Sequence, residues 1–459
     1  LQLHPNRERI DDVTRLFGTD GVRGVANIDL TPELAFALGR AFAQEHARQQ
    51  PTRPHVVVGR DTRQSGDLLE AALCAGLMSE GADVWRVGVI PTPGVAYLAR
   101  TTGAAAGVMI SASHNPMEDN GIKFFGRDGF KLRDDVEDAI EARLDHLPDA
   151  ARLSGRSIGC ASDRPDLRAA YQEFLCTTVR HRFTGLRVAV DAANGAASEF
   201  AAPVLERLGA SVALFHCAPD GANINVGCGS THPAEIARLT VEAGADVGLS
   251  FDGDADRLIA VDERGGIVDG DRTLLICGRA LLSAGELRGH TIVTTVMSNY
   301  GFIKAAREMG VELVRTSVGD RYVMEAMREG GYVLGGEQSG HVIFLRHNTT
   351  GDGLLTALQL LDAMIESGQP LSQLAAVMRS YPQVLMNVRV RDKTAWRADD
   401  AVAKAIAAVE DVLGEDGRVL VRESGTEPIV RVMVEGPDEA RVAQLCAEIA
   451  SVLQVRLGA

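Results

Sequence analysis

One order of residue types recurs three times along the chain, and it constrains the fold more than any other feature. An apolar run ends in a polar loop and a stretch of helical periodicity follows. A glycine stands where that stretch stops, and a second apolar run begins. The copies start at Val56-Val-Val-Gly-Arg-Asp61, Arg187-Val-Ala-Val-Asp191 and Thr291-Ile-Val-Thr-Thr295. They close at Glu80-Gly-Ala-Asp-Val-Trp85, Leu208-Gly-Ala-Ser-Val-Ala213 and Met309-Gly-Val-Glu-Leu-Val314. Glycine suits the left-handed position just past a helix. Strands alternating with helices imply βαβ units on mostly parallel sheets. The expectation is three related α/β domains with mixed sheets. The length of 459 residues agrees, at roughly 100–200 residues per domain.

Beyond the third copy the pattern changes. Tyr381–Val390 reads as a strand and Ala401–Val412 as a helix. Arg418–Arg422 and Val430–Glu435 read as two strands around a loop, and Glu439–Leu457 as a final helix. This is the pattern of a smaller C-terminal α+β domain. The expected domains are 1–160, 161–258, 259–375 and 376–459.

Charge and cysteine usage exclude several functions. Lys plus Arg number 47 against 62 Asp plus Glu, a net charge of −15. A nucleic-acid binder shows a basic footprint instead, although local basic pockets for a phosphorylated small molecule remain compatible. The 7 cysteines (74, 160, 176, 217, 228, 277, 446) are scattered and odd in number. Without CxxC spacing they indicate neither a disulfide framework nor a zinc site, and a reducing cytosol is expected. No apolar run of about 18 residues occurs, so no membrane span is expected. Leu1–Asp12 is polar and lacks the apolar core of a secretion signal.

Five loops carry the candidate chemistry. In Gly107-Val-Met-Ile-Ser-Ala-Ser-His-Asn-Pro116 the apolar run reads as a strand end, and Pro116 forbids its continuation. Serines and a histidine are thereby set at the carboxyl end of a strand, where open α/β sheets bind ligands. In Asp252-Gly-Asp-Ala-Asp-Arg257 alternate residues are acidic. An extended stretch puts such carboxylates on one side, where they repel unless a cation neutralises them; Mg²⁺ suits them. An EF-hand is the competing reading, with Glu263 at its twelfth position. It fails because Arg257 stands where that loop needs Gly, and strands rather than helices flank it. Gly335-Gly-Glu-Gln-Ser-Gly-His341 allows close backbone approach. It offers Glu337 and Ser339 to sugar hydroxyls, and His341 as a proton shuttle. Arg422-Glu-Ser-Gly-Thr-Glu-Pro-Ile-Val-Arg431 combines two guanidinium forks with hydroxyls and backbone N–H groups, a phosphate cradle. Phe17-Gly-Thr-Asp-Gly-Val-Arg-Gly24 adds a Gly-rich loop with Arg23.

Taken together and in this order, these loops resemble the α-D-phosphohexomutase family over nearly the whole chain. Asn223-Ile-Asn-Val-Gly-Cys-Gly-Ser-Thr-His-Pro233, Glu337–His341 and Ser424–Pro428 are similar to its aminosugar branch. Met117 and Glu118 depart from the aromatic pair common in the family, and Glu423 is unusual in the phosphate loop. The resemblance implies four domains around a central cleft. It implies that Ser113 carries an exchangeable phosphate, and that an oxygen on Ser113 joins Asp252, Asp254 and Asp256 in holding Mg²⁺. Lys123 and His341 become acid/base candidates, and Arg23 and Arg257 steady the moving phosphoryl group. Glu337 and Ser339 meet the sugar; Arg422, Ser424, Gly425, Thr426 and Arg431 hold the other phosphate. The implied reaction interconverts glucosamine 6-phosphate and glucosamine 1-phosphate through a glucosamine 1,6-bisphosphate intermediate. The alternatives are action on glucose or mannose phosphates, or a phosphosugar-binding protein without catalysis. The expected partner is a small phosphosugar, with neither nucleic acid nor membrane, and a homodimer is left open.

Overall fold

The computed structural model describes residues 15–459 apart from 19, 51, 145, 148–151, 425 and 426. Leu1–Asp12, Gly425 and Thr426 therefore lie outside the described residues. The first sheet holds β1 (Val22–Val25), β2 (His55–Arg60), β3 (Asp83–Val89), β4 (Ala106–Ile110), β5 (Asp119–Gly126) and β6 (Ala161–Asp163), in the order β1-β5-β4-β2-β3-β6. The second holds β7 (Arg187–Asp191), β8 (Ser211–Phe215), β9 (Val247–Phe251), β10 (Leu258–Asp262) and β11 (Ile267–Val268), in the order β11-β10-β9-β7-β8. The third holds β12 (Thr291–Thr295), β13 (Glu312–Thr316), β14 (Leu334–Gly336) and β15 (Val342–Phe344), in the order β13-β12-β14-β15.

Loop length decides the strand directions. Helix Ser65–Ser79 connects β2 to β3, and helix Thr92–Thr101 connects β3 to β4; β2 runs parallel to both strands. A parallel neighbour needs such a long crossover, whereas a short loop returns the chain antiparallel. Accordingly β4 pairs antiparallel with β5, β9 with β10, and β14 with β15. The three short connections are the loops with Ser113, with the aspartates, and with Glu337 and His341. Each sheet thus turns from parallel to antiparallel at a loop that carries chemistry.

The expected breaks at 160 and 258 fall inside sheets. Ala161–Asp163 pairs with β3 in the first sheet, and β10 and β11 complete the second. A hairpin keeps both of its strands in one sheet, so a boundary cannot fall at its loop. Helix Tyr300–Glu308 shares close contacts with the C-terminal elements. Described residues up to Val296 with Val314–Ala375 form one compact unit, and Met297–Leu313 with Ala376–Ala459 form another. Within the second unit, Asn299 caps that helix by accepting from Gly301 N at 3.0 Å, and its amide donates to Tyr381 O at 3.0 Å and Glu435 Oε1 at 3.1 Å. This unit also carries β16 (Gln383–Arg389), β17 (Arg418–Glu423) and β18 (Ile429–Glu435), antiparallel in the order β16-β18-β17. Helices Asp400–Leu413 and Glu439–Leu457 cover the sheet and bury Val388, Val430, Val432, Leu445 and Ile449.

In the first unit β4 is wholly buried, which places the start of the Ser113 loop on a rigid base. Helices Pro32–Gln49 and Ser65–Ser79 meet at glycines from both sides. A Cβ at Gly76 would collide with the Phe36 carbonyl, and one at Gly39 with the Leu73 carbonyl. Backbone cannot retreat as a side-chain end can. Among the described residues no helix is long and apolar enough to cross a membrane. Gly76→Ala should destabilise the first unit by about 1–3 kcal/mol, the usual cost of overpacking, despite alanine's higher helix propensity. A lower urea midpoint would be the sign; an unchanged or raised midpoint would contradict the close approach.

Candidate active site

The Ser113 loop is tied to the ends of β2 and β4. Ser111 Oγ donates to Asp61 Oδ2 at 2.6 Å and accepts from Ser113 N at 2.9 Å. Ser113 itself is left-handed, with φ of 52°, a conformation a non-glycine residue holds only when its surroundings impose it. Much of that holding comes from Arg63, which is 1% exposed. Its guanidinium donates to Asp61 Oδ2 at 2.9 Å, Ser113 O at 2.9 Å, Asn115 O at 2.8 Å and Asp119 O at 3.1 Å, and also to Pro116 O. Five N–H donors in a rigid fork suit arginine to such a ring of carbonyls. From the second sheet's domain Asn225 Nδ2 donates to Ser113 O at 3.0 Å and Asn115 O at 3.2 Å.

The loop brings Ser113 Oγ to Asp252 Oδ2, to which it donates at 2.6 Å. Carboxylate oxygens of Asp252, Asp254 and Asp256 lie within 4.8 Å of one another, all in buried residues. Asp254 Oδ1 and Asp256 Oδ1 are buried and accept no hydrogen bond. Orphaned carboxylate oxygens beside like charges are unfavourable, and a divalent cation remedies both faults. The residues fit Mg²⁺, a hard ion that takes carboxylate and phosphate oxygens. Burial, then the charges of Asp256 and Asp254, push the Asp252 carboxyl well above its ordinary range.

Lys123 enters from β5, where it is 3% exposed, and its Nζ lies 3.2 Å from Asp254 Oδ2. Thr92 Oγ1 donates to the same oxygen at 2.6 Å. Burial pulls the lysine pKa down, and Asp254, Asp256 and Asp20 more than offset it, so the ammonium is stabilised. Arg257 Nε stands 3.8 Å from Asp256 Oδ1, and Arg23 NH2 is 3.2 Å from Asp20 Oδ2. In both arginines Nε is buried without a hydrogen-bond partner. His341 packs with Nδ1 3.6 Å from Asp256 Oδ2, while Nε2 accepts from Gly351 N at 3.1 Å. With Nε2 accepting, the ring proton sits on Nδ1 and faces Asp256. Glu337 Oε1 accepts from Gly319 N at 3.0 Å, and Ser339 is exposed in the same loop. Ser113, Lys123, Arg257, His341 and the aspartates thus share one cluster.

The C-terminal unit holds the remaining candidates. Arg422 and Arg431 are opposite each other across β17 and β18, where like charges repel. Burial, and then Arg431, lowers the Arg422 pKa. Both Nε atoms are buried without a partner, an arrangement that an anion would relieve. Ser424 is buried, its Oγ accepting from Glu427 N at 3.3 Å and its carbonyl accepting from Lys393 Nζ at 3.0 Å. Glu423 is taken up by Trp396 Nε1 at 3.0 Å and Arg397 Nε at 2.7 Å, so its charge is neutralised.

Arg63, Asp61, Thr92 and Asn225 were not marked as site residues by sequence reasoning. One signal was available: the charge-rich stretch Arg60-Asp61-Thr62-Arg63 follows the apolar Val56–Val58 after a single glycine. Arg63→Met should cost about 3–5 kcal/mol, because it strands the Asp61 carboxylate without its partner. Arg63→Lys should cost less. Equal denaturation midpoints for Arg63→Met and the parent would remove Arg63 as the anchor of the loop.

Models of four phosphoglucomutase/phosphomannomutase domains match in succession: alpha/beta/alpha domain I at residues 14–150, domain II at 168–266, domain III at 269–381, and the C-terminal domain at 385–452. A phosphoglucosamine mutase of Shouchella clausii is 56% identical over 445 residues, covering 97% of this chain and 100% of that protein. One from Brevibacillus brevis is 55% identical, covering 96% and 99%. A crystal structure of a phosphoglucomutase/phosphomannomutase family protein from Burkholderia thailandensis superposes with a TM-score of 0.81 at 27% identity, covering 96% of this chain and 97% of that one. Domain order, near-complete coverage and the cluster of Ser113 with three buried aspartates agree: the chain belongs to the phosphoglucomutase/phosphomannomutase family, the α-D-phosphohexomutases.

Proposed function

We propose that this chain interconverts glucosamine 6-phosphate and glucosamine 1-phosphate, with Ser113 as the phosphate carrier. The observation that carries the reading is the contact of Ser113 Oγ with Asp252 at 2.6 Å, inside a buried carboxylate cluster that needs a cation. The choice of aminosugar rests on relatives named phosphoglucosamine mutase at 56% and 55% identity, against 27% for the solved family structure.

Asp252, Asp254 and Asp256, with an oxygen on Ser113, would hold Mg²⁺, which when bound supplies charge stabilisation at a bridging phosphate oxygen. The chain's own residues do the positioning that phosphoryl transfer chiefly requires. Phospho-Ser113 gives its phosphate to O1 of glucosamine 6-phosphate, and the serine oxygen is released. The 1,6-bisphosphate then turns over, and Ser113 takes the 6-phosphate to leave glucosamine 1-phosphate. Lys123, paired with Asp254, is the acid/base candidate at the reacting hydroxyl. Arg23 and Arg257 present unpaired guanidinium donors to the moving phosphoryl group. His341, with its proton directed at Asp256, orients that carboxylate. Glu337 and Ser339 meet the sugar, and Arg422, Ser424, Gly425, Thr426 and Arg431 bind the phosphate that is not reacting. A cytosolic location goes with this reading, because charged sugar phosphates do not leave cells freely.

Ser113→Ala should abolish turnover of glucosamine 6-phosphate while leaving the unfolding profile unchanged. In a mixture of glucosamine 6-phosphate and glucose 6-phosphate the parent should consume the aminosugar first. Normal turnover by Ser113→Ala would refute the carrier, and preference for glucose 6-phosphate would refute the substrate. Arg422→Ala should weaken substrate binding, since hydrogen bonds to charged groups contribute about 1.5–3 kcal/mol each. It should also release more bisphosphate in single-turnover mixtures. Unchanged binding and unchanged release together would exclude Arg422 from the phosphate contact.

A further inference from the structure

Outside the aspartate cluster, one other group of ligand-type side chains converges among the described residues. Asp191 ends β7, and His216 follows directly on Phe215, the end of its parallel neighbour β8. Cys228 comes from the loop that follows β8. One ligand atom from each of the three lies within 4.8 Å of the others. We propose that Asp191, His216 and Cys228 form a binding site for a thiophilic divalent cation of the Zn²⁺ class, separate from the Asp252–Asp254–Asp256 site.

The geometry favours a shared cation over a simple ion pair. His216 Nδ1 is 3.1 Å from Asp191 Oδ1, is buried, and makes no hydrogen bond to it. The ring nitrogen therefore sits beside the carboxylate without a hydrogen bond that would occupy it. Ligands at about 2.0–2.3 Å from a tetrahedral Zn²⁺ lie about 3.2–3.7 Å apart, so the cluster needs only a small contraction. The donors are also held in place beforehand. Asp191 accepts from Ala193 N at 2.9 Å on Oδ1, and from Gly229 N at 2.7 Å and Ser250 Oγ at 3.4 Å on Oδ2, which fixes its plane and leaves Oδ1, the oxygen beside His216, with lone-pair capacity. His216 is held left-handed at φ of 46°, and its carbonyl accepts from Asn194 N at 2.6 Å. Cys228 is fully buried, and its Sγ accepts only a long contact from Asn194 Nδ2 at 3.9 Å.

The donor set separates this site from the aspartate cluster. Sulfur and imidazole select Zn²⁺-like ions, whereas carboxylates alone suit Mg²⁺. Binding would release the Cys228 thiol proton to solvent and leave a thiolate on the cation. The loop concerned also carries Asn225, whose amide grips the Ser113 and Asn115 carbonyls.

The test is a Co²⁺ titration of the full chain in excess Mg²⁺, which keeps the aspartate cluster occupied. One equivalent should bind with a thiolate-to-cobalt charge-transfer band and the intense visible bands of a tetrahedral site. Zn²⁺ should displace it stoichiometrically. Cys228→Ser should lose the charge-transfer band, Cys217→Ser should keep it, and His216→Gln should bind Co²⁺ at least tenfold more weakly. Absence of the band from the parent chain, which needs no variant to fold, overturns the proposal. Its persistence in Cys228→Ser does the same.

Discussion

Three carboxylates packed together away from water are the constraint around which the first unit is arranged. Such a cluster is costly unless positive charge and hydrogen-bond donors surround it. The first sheet answers with Lys123 from β5 and Thr92 after β3. The third contributes His341 after β14, and the second adds the Arg257 guanidinium. The serine hydroxyl is one more of these donors, reaching Asp252 from a loop that three different segments hold still. The residues that make the charge tolerable are therefore the same ones to which the proposed phosphoryl transfer is assigned.

A single architectural device brings them together. In each α/β sheet the chain abandons parallel pairing for one antiparallel return, and the loop at that return is short. Short loops anchored at both ends by buried strands have little freedom, so their side chains are presented with small entropic cost on binding. Ser113 adds a further restraint, since its left-handed backbone is tolerable only while Arg63 and Asn225 hold the carbonyls around it. Rigidity here is a property of hydrogen bonds to backbone.

The sequence made the strand–helix alternation and the loops legible, because periodicity and charged residues after apolar runs are local signals. Asp252, Asp254 and Asp256 could be read from their alternation alone. The role of Arg63 could not, since nothing in a lone arginine two residues past a carboxylate says that it will face a ring of carbonyls fifty residues downstream. Asn225 was hidden for the same reason. The limit at 160 misses an edge strand whose partner β3 is distant in sequence, and the limit at 258 cuts a hairpin whose loop looks like a linker. The group of Asp191, His216 and Cys228 left no trace in spacing, because its members come from three separate stretches of chain.

Asn299 has a consequence for modularity. Its amide ties the helix Tyr300–Glu308 to Tyr381 and Glu435, so the compact unit that holds the C-terminal elements also takes in a stretch of the third matched domain. A chain ended at Ala375 would not be a three-domain protein with its last module removed. It would retain a helix cut off from Tyr381 and Glu435, and the excised tail would lack the contacts that Asn299 supplies. Recombination or shuffling that treats the tail as an exchangeable cassette therefore has to preserve the contacts with Asn299.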